Sequence, residues 1–250
     1  MKQIFMIMEI FLDQLPKKHI VCLLIFNILQ FQNCEGWLWS KYKKKAKYGP
    51  NGIYLDNFKS HKRKIKNKKI RILIKGDSST FYKNVDESFK IVEKLNKNKY
   101  EIWYLCNHGE PKEWYRVDNF LKEIPHELIQ VYEQYDILIK SSRIESFSYP
   151  PLEMMAIGGY SIVTINDGNK EYLRNGENCL LYELGDIKGA IKSIKRLVSD
   201  FKLQKHLYIN GIATVKQKSW NNKKTKLFLY MLIKNKSKYV FASIFFFFYW

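Results

Sequence analysis

Between residues 70 and 220, short β-rich apolar runs take turns with longer stretches whose apolar positions recur at helical spacing. Ile70–Lys75 reads as a buried strand, 76–83 as a loop, and 84–97 as a helix carried by Val85, Phe89, Val92 and Leu95. The pattern then predicts a strand over 101–106, a helix near 126–135, a strand over Ile137–Lys140 and a helix over 150–157. A strand over 161–165, a short helix around 170–174 and an apolar stretch over 179–182 follow. Helices over 186–199 and 201–216 close the region. Strand and helix alternate throughout, so the expected fold is α/β, a Rossmann-like open parallel sheet with ligands at the carboxyl ends of its strands.

Composition narrows this without changing it. The chain has 250 residues, 46% hydrophobic and 27% charged, enough for one well-buried domain and a tight fit for two. Twelve Gly and six Pro exclude a collagen-like or low-complexity chain, and four Cys are too sparse for a disulfide scaffold. Cys22, Cys34, Cys106 and Cys179 show no C-x-x-C pairing, and the five histidines never stand at metal-ligand spacing with them. No metal site is expected, and the thiols read as incidental ones in a reducing cytoplasm.

The formal charge of +19 is unevenly spread: +11 over residues 1–69, +2 over 70–220 and +6 over 221–250. A nucleic-acid-binding fold carries its basic patch on the folded unit. Here the excess lies in flanks such as Lys41-Tyr-Lys-Lys-Lys45 and Lys62-Arg-Lys-Ile-Lys66, which argues against nucleic acid. These flanks read as solvated lysines or as a peripheral contact with an anionic membrane surface. Glu9, Asp13 and the Lys17-Lys18 pair interrupt the N-terminal apolar stretch, so no signal peptide is expected there. The apolar runs 20–31 and 239–250 fall short of the roughly 20 residues that a spanning helix needs. The expected location is cytoplasmic, with peripheral contact at the inner face of the membrane. The expected division is an atypical N-terminal segment over 1–47, a basic linker over 48–69, the α/β domain over 70–220 and a basic, apolar tail over 221–250.

The most informative stretch is Ser141-Ser-Arg-Ile-Glu-Ser-Phe-Ser-Tyr-Pro-Pro-Leu-Glu-Met-Met-Ala-Ile-Gly-Gly159. Glu145 falls in the loop after a strand, and Glu153, with seven residues between them, in the first turn of a helix opened by Pro150-Pro151. In that setting the N–H groups of Ser146 to Tyr149 and of the first turn can face an anion, while a carboxylate can grip a sugar diol. A plain structural reading has Glu153 complementing the helix dipole and Glu145 as a surface acid.

The whole run resembles the Glu-x(7)-Glu motif of retaining glycosyltransferases of the two-domain GT-B type, in particular family 4. Tyr135-Asp-Ile-Leu-Ile-Lys-Ser-Ser142 is similar to the family's strand before the motif, and Leu152-Glu-Met-Met-Ala-Ile-Gly-Gly159 to its helix. Asp167-Gly-Asn-Lys-Glu-Tyr-Leu173 and Asn175-Gly-Glu-Asn-Cys-Leu-Leu181 resemble its next loop, and Gly49-Pro-Asn-Gly-Ile-Tyr-Leu-Asp-Asn-Phe58 its inter-domain linker. The resemblance covers about residues 48–220 and implies one GT-B half that binds a nucleotide-sugar donor. It implies that Glu153 accepts hydrogen bonds from the ribose and that Glu145 meets the donor sugar near the reacting carbon. The backbone of Ser146, Phe147, Ser148 and Tyr149 would meet the sugar and diphosphate. Gly76 opens the loop after the first strand, and Lys83 at its end matches the family's phosphate-binding lysine. The acceptor would be a glycan or a lipid-linked sugar, and no cofactor or metal is implied.

Three departures accompany the match. Asp77 stands in the region where many members have an arginine, and Ser148 where Gly is commoner. Only about 47 residues precede the linker, so the expectation is a donor-binding half whose acceptor domain acts in trans, or a noncatalytic sugar-nucleotide-binding fragment of a truncated gene. A rival reading takes Gly76-Asp77-Ser78 as the block of a Gly-Asp-Ser esterase with Ser78 as nucleophile. It lacks the Asp-x-x-His that such an enzyme needs, since Leu203 precedes His206 at that spacing.

Overall fold

The structure is a computed structural model, and it describes residues 51–56, 58, 60, 69–122 and 128–220. The segments 1–47 and 221–250 and most of the basic linker therefore lie outside the described residues. Residues 53–217 form one compact unit. Its six strands are β1 (Ile70–Lys75), β2 (Tyr100–Cys106), β3 (Asn119–Lys122), β4 (Ile137–Lys140), β5 (Tyr160–Thr164) and β6 (Leu180–Tyr182). They form one sheet in the order β3-β2-β1-β4-β5-β6, and every pairing is parallel. The helices are α1 (Val85–Glu93), α2 (Leu128–Glu133), α3 (Tyr149–Ala156), α4 (Ile187–Ser199) and α5 (Phe201–Gln217).

The strand sequences explain why both faces of the sheet are covered. Every residue of β4 and β5 is buried, the burial that a central parallel strand requires. Side chains alternate along each strand. Ile72, Ile74, Ile137, Ile139 and Ile162 therefore share a core with Val85 and Phe89 of α1, Ile194 of α4 and Leu203 of α5. Leu73, Leu105 and Leu138 point the other way, onto Tyr132 of α2 and Met154 of α3. Helix α5 also reaches a third cluster, where Val215 meets Phe147, Leu152 and Tyr172.

Four elements differ from the sequence pattern. The sequence pattern does not show strand β3, because it is a short, half-exposed edge strand, Asn-Phe-Leu-Lys, with too few positions to alternate. Helix α1 stops at Glu93 rather than at 97, because the Lys94 and Leu95 N–H groups bond three residues back, to Ile91 and Val92, and tighten the last turn. Residues 170–174 form turns instead of a helix. The Lys170 and Leu173 N–H groups bond back to the Asn166 and Asn169 carbonyls, but the Arg174 N–H goes to the Asn178 side chain, which ends the run before a helix builds. Helix α3 begins at Tyr149, one residue before the prolines, which puts Glu153 in its second turn rather than its first. No helix among the described residues is long and apolar enough to cross a membrane.

Candidate functional site

The strand order reverses between β1 and β4, the point at which open α/β sheets place a ligand crevice outside the carboxyl ends of their strands. The loop after β1 contains a single 3₁₀ turn, Phe81–Lys83, followed by Asn84 in the left-handed conformation (φ 49°). The loop after β4 runs from Ser141 to Ser148, also left-handed (φ 67°), before α3 starts. Arg143 N–H donates to the Tyr82 carbonyl at 2.8 Å, and Asn84 Nδ2 donates to the Ser141 carbonyl at 3.1 Å. These bonds hold the two loops against each other. Thr164 and Asn166 tie the second loop to the end of β5 through the Ser142 carbonyl.

Lys83 and Glu145 come together in this crevice. Lys83 Nζ lies 3.1 and 3.0 Å from the two carboxylate oxygens of Glu145. A second lysine, Lys140 at the end of β4, lies 2.8 Å from Glu145 Oε1. The side chains of Lys140 and Glu145 are only 6% and 7% exposed, whereas Lys83 is 27% exposed. Burial alone would raise the Glu145 pKa, but Lys140 and Lys83 outweigh it and hold the carboxyl down at about 2. Burial pulls the Lys140 pKa below its ordinary value, with Glu145 opposing that shift and Lys83 and Lys75 adding to it.

Glu153 has a different partner. Its Oε2 lies 3.8 Å from Lys75 Nζ at the end of β1, and Lys75 in turn donates to the Tyr132 hydroxyl at 3.0 Å. Burial and then the neighbouring Glu153 charge push the Tyr132 pKa well above its ordinary value, which keeps the phenol neutral. Glu153 Oε2 is itself buried without a hydrogen-bond partner. Held only by the long ion pair to Lys75, this oxygen is well suited to accept from a hydroxyl.

The backbone between the two acids is held from behind. Phe147 is buried between Tyr149 and Tyr172, with ring centroids 5.0 and 5.1 Å apart, so only its main chain is available to a ligand. The Tyr172 hydroxyl donates to the Ser148 carbonyl, and Ser146 is exposed. Gly168 packs directly beneath, where a Cβ would stand 2.1 Å from the Glu145 carbonyl oxygen. At the other loop, a Cβ on Gly76 would stand 2.9 Å from Val85 of α1.

Two sequence expectations need correction here. With Tyr149 as the first helical residue, Pro150 and Pro151 occupy the next two positions and carry no N–H. The first turn of α3 is thus a poor anion cradle, and positive charge comes chiefly from Lys75, Lys83 and Lys140. The esterase reading of Ser78 also fails on geometry. Its hydroxyl donates to the Glu110 carbonyl at 2.8 Å, an acceptor that cannot serve as a base, and His206 on α5 is bonded to Asn210. Lys75, Lys140, Tyr132 and Asn84 escaped the sequence reading altogether. Each lysine ends an apolar strand run, and a lysine closing the strand on either side of a reversal point is the signal that marks them. Among the described residues, no three His, Cys, Asp or Glu side chains gather as a metal site would require.

The strand order and the all-parallel pairing define a Rossmann-type α/β domain, with the charged cluster of Lys83, Lys140 and Glu145 at its switch point. The chain belongs to the family described as glycosyl transferases group 1, whose model matches residues 56–214. It is 31% identical over 80 residues to the lipopolysaccharide core biosynthesis glycosyltransferase LpsE of Rhizobium meliloti (strain 1021), a match covering 32% of this chain and 24% of LpsE. It is 38% identical over 73 residues to the O-antigen biosynthesis protein RfbC of Myxococcus xanthus, covering 29% of this chain and 6% of RfbC. The matches thus span a quarter or less of these relatives' own length. Among solved structures, the fold is similar to Alr3699/HepE of Anabaena in complex with UDP and glucose, with a TM-score of 0.65 at 13% identity. That likeness covers 82% of this chain and 62% of the other. The C-terminal domain of the group 1 glycosyl transferase LpcC of Francisella tularensis is matched over 98% of its length and 67% of this chain, with a TM-score of 0.54 at 21% identity.

Proposed function

We propose that this chain provides the donor-binding half of a retaining glycosyltransferase of the family 4 type, which moves a sugar from a nucleotide-sugar to a glycan or lipid-linked acceptor. The observation that carries the reading is the convergence of Lys83 and Glu145, brought from two different loops to 3.0 Å at the switch point. Family membership and the near-complete overlap with a C-terminal group 1 domain support it. So does the presence of UDP in the HepE structure, whose fold this chain shares.

In this reading Glu153 offers Oε2, which has no hydrogen-bond partner and only the long ion pair to Lys75, to a ribose hydroxyl. Lys83 turns from Glu145 to the diphosphate and neutralises the charge that develops as the diphosphate departs. Glu145, freed on one side, meets the donor sugar near the reacting carbon, beside the backbone of Phe147, Ser148 and Tyr149. Lysines supply the positive charge, so the donor binds without a metal. A companion domain, in cis or as a separate partner, holds the acceptor close to the anomeric carbon, and that positioning supplies several kcal/mol of rate acceleration. The basic flanks hold the enzyme at the inner face of the membrane, near a lipid-linked acceptor.

Calorimetric titration with nucleoside diphosphates in the presence of a chelator tests this directly. Binding should persist with chelator and weaken about tenfold or more in Lys83→Ala and in Glu153→Ala. Loss of binding on chelation, or unaltered affinity in both variants, would count against the assignment. Retention is read from the anomeric configuration of the product once an acceptor is supplied.

A further inference from the structure

Two lysines share one carboxylate in the crevice, and they are not equivalent. Lys83 sits on a loop with a quarter of its side chain exposed, while Lys140 ends a fully buried strand whose backbone is locked beside Val163 of β5. The following inference rests on the donor reading above, in which the diphosphate draws Lys83 away. We propose that Lys140 is a positioning residue, the fixed counter-ion that keeps Glu145 ionised and in place once the diphosphate has taken Lys83.

Among the described residues, the surroundings of Glu145 leave little else for that task. Lys83 faces it from the loop after β1 and Lys140 from β4, while Tyr172 in the turn after β5 feels its charge but gives its hydroxyl to the Ser148 carbonyl. Tyr172 is neutral, its pKa pushed far up by burial. Lys75 at the end of β1 is engaged by Glu153 of α3 and by Tyr132 of α2. Once Lys83 leaves, Glu145 without Lys140 would be a buried carboxylate beside an incoming dianion, and such a group takes up a proton rather than stay charged. A protonated Glu145 would lose its charge and one acceptor site at the position where the sugar must be held. Lys140 is less able to follow the diphosphate, because its backbone is held in the sheet and its side chain is buried against Glu145. The division of labour follows from that: the exposed lysine moves and the buried one stays.

The test is proton-linked binding. The full chain is titrated with UDP, GDP and ADP in turn near pH 7, in buffers of different ionisation enthalpy. Comparing Lys140→Met with the wild type cancels the nucleotide's own ionisation. The variant should take up about one proton more per nucleotide bound than the wild type does. Lys140→Arg should behave as wild type, and Lys140→Met combined with Glu145→Gln should show no excess uptake. Before ligand arrives Lys83 still pairs with Glu145, so Lys140→Met is expected to fold. A second measurement needs no variant: the ¹³C carboxyl resonance of Glu145 in the wild-type nucleotide complex should titrate below the ordinary 4.5. If the wild type binds none of the three nucleotides, the donor reading falls and this inference falls with it. If the wild type binds but Lys140→Met shows no excess uptake, or if Glu145 titrates above 4.5 in the wild-type complex, the role of Lys140 alone is overturned.

Discussion

Glu145 and Lys140 form a buried ion pair, 2.8 Å apart, that folds the loop after β4 back onto the strand that launched it. A pair so little exposed is worth less to stability than its distance suggests, because both ions have left water. Breaking it is another matter. Removing one partner leaves the other charged and uncompensated inside the protein.

That asymmetry gives the first prediction. The Glu145 carboxyl is held at about 2 against an ordinary 4.5, so its ionised form favours the folded state. The contribution, about 3 kcal/mol, is fully present above pH 4.5 and is lost as pH falls through 2. Urea denaturation of the wild type should therefore show stability dropping between pH 5 and 2. Glu145→Gln should lose about 3 kcal/mol at pH 7 and show a shallower acid limb. An unchanged acid limb in the variant would mean that other carboxylates carry the acid sensitivity.

Ser148 yields a prediction of opposite sign. Its backbone is left-handed (φ 67°, ψ 72°), a conformation costing a non-glycine residue about 1–2 kcal/mol. Its Oγ is also buried without a hydrogen-bond partner. Ser148→Gly relieves both penalties at the cost of extra freedom in the unfolded chain. A net gain of about 1 kcal/mol, read as a higher melting temperature, is expected. A lower melting temperature would show that the hydroxyl has a partner that matters.

Gly168 supports Glu145 from beneath. An added Cβ would stand 2.1 Å from the Glu145 carbonyl oxygen and 2.5 Å from the Ser146 carbonyl carbon. Both are main-chain atoms, so the loop itself must move. Gly168→Ala should cost about 1–3 kcal/mol and displace Glu145 from Lys83. Nucleoside diphosphate affinity should change together with stability. A variant that melts lower but binds normally would separate the loop's packing from the site.

Much of this was legible in the sequence because the central strands are isoleucine-rich and bounded by turns, and burial on both faces permits little else. Strand order was not legible as such, yet alternation of strand and helix restricts it, and the reversal between β1 and β4 follows the expected pattern. Glu145 is legible in the spacing of the Glu-x(7)-Glu motif, and Lys83 in its resemblance to the family's phosphate-binding lysine after the first strand. Lys140 and Lys75 are not, because a lysine at the end of an apolar run reads as the solvated end of a strand. Only the fold reveals that Lys75 meets Tyr132 of α2 and Glu153 of α3, and that Lys140 meets Glu145 in the loop that follows it. The start of α3 was misread for a related reason. Two consecutive prolines mark the first turn of a helix strongly, and the tyrosine before them gives no signal of its own.

Asn84 joins both loops of the site, and its backbone and side chain can be tested apart. Its left-handed φ of 49° suits asparagine and glycine far better than alanine. Its Nδ2 donates to Glu87 Oε2 at 2.8 Å and to the Ser141 carbonyl at 3.1 Å, and its Oδ1 accepts from Arg143 at 3.2 Å. Asn84→Gly keeps the backbone conformation and deletes these bonds, whereas Asn84→Ala deletes the bonds and strains the backbone as well. The glycine variant should lose about 1–2 kcal/mol and the alanine variant about 1 kcal/mol more, both read from urea unfolding at pH 7. Glu87 keeps the Gly185 N–H as a partner at 2.9 Å, so neither variant leaves its carboxylate wholly unmet. Because Asn84 directly follows Lys83 and pins that loop to Ser141, nucleoside diphosphate affinity should fall in both variants, and by similar factors, since the clamp is lost in both. Equal stability of the glycine and alanine variants would show that residue 84 does not hold the left-handed conformation, and undiminished affinity in both would show that the loops stay registered without it.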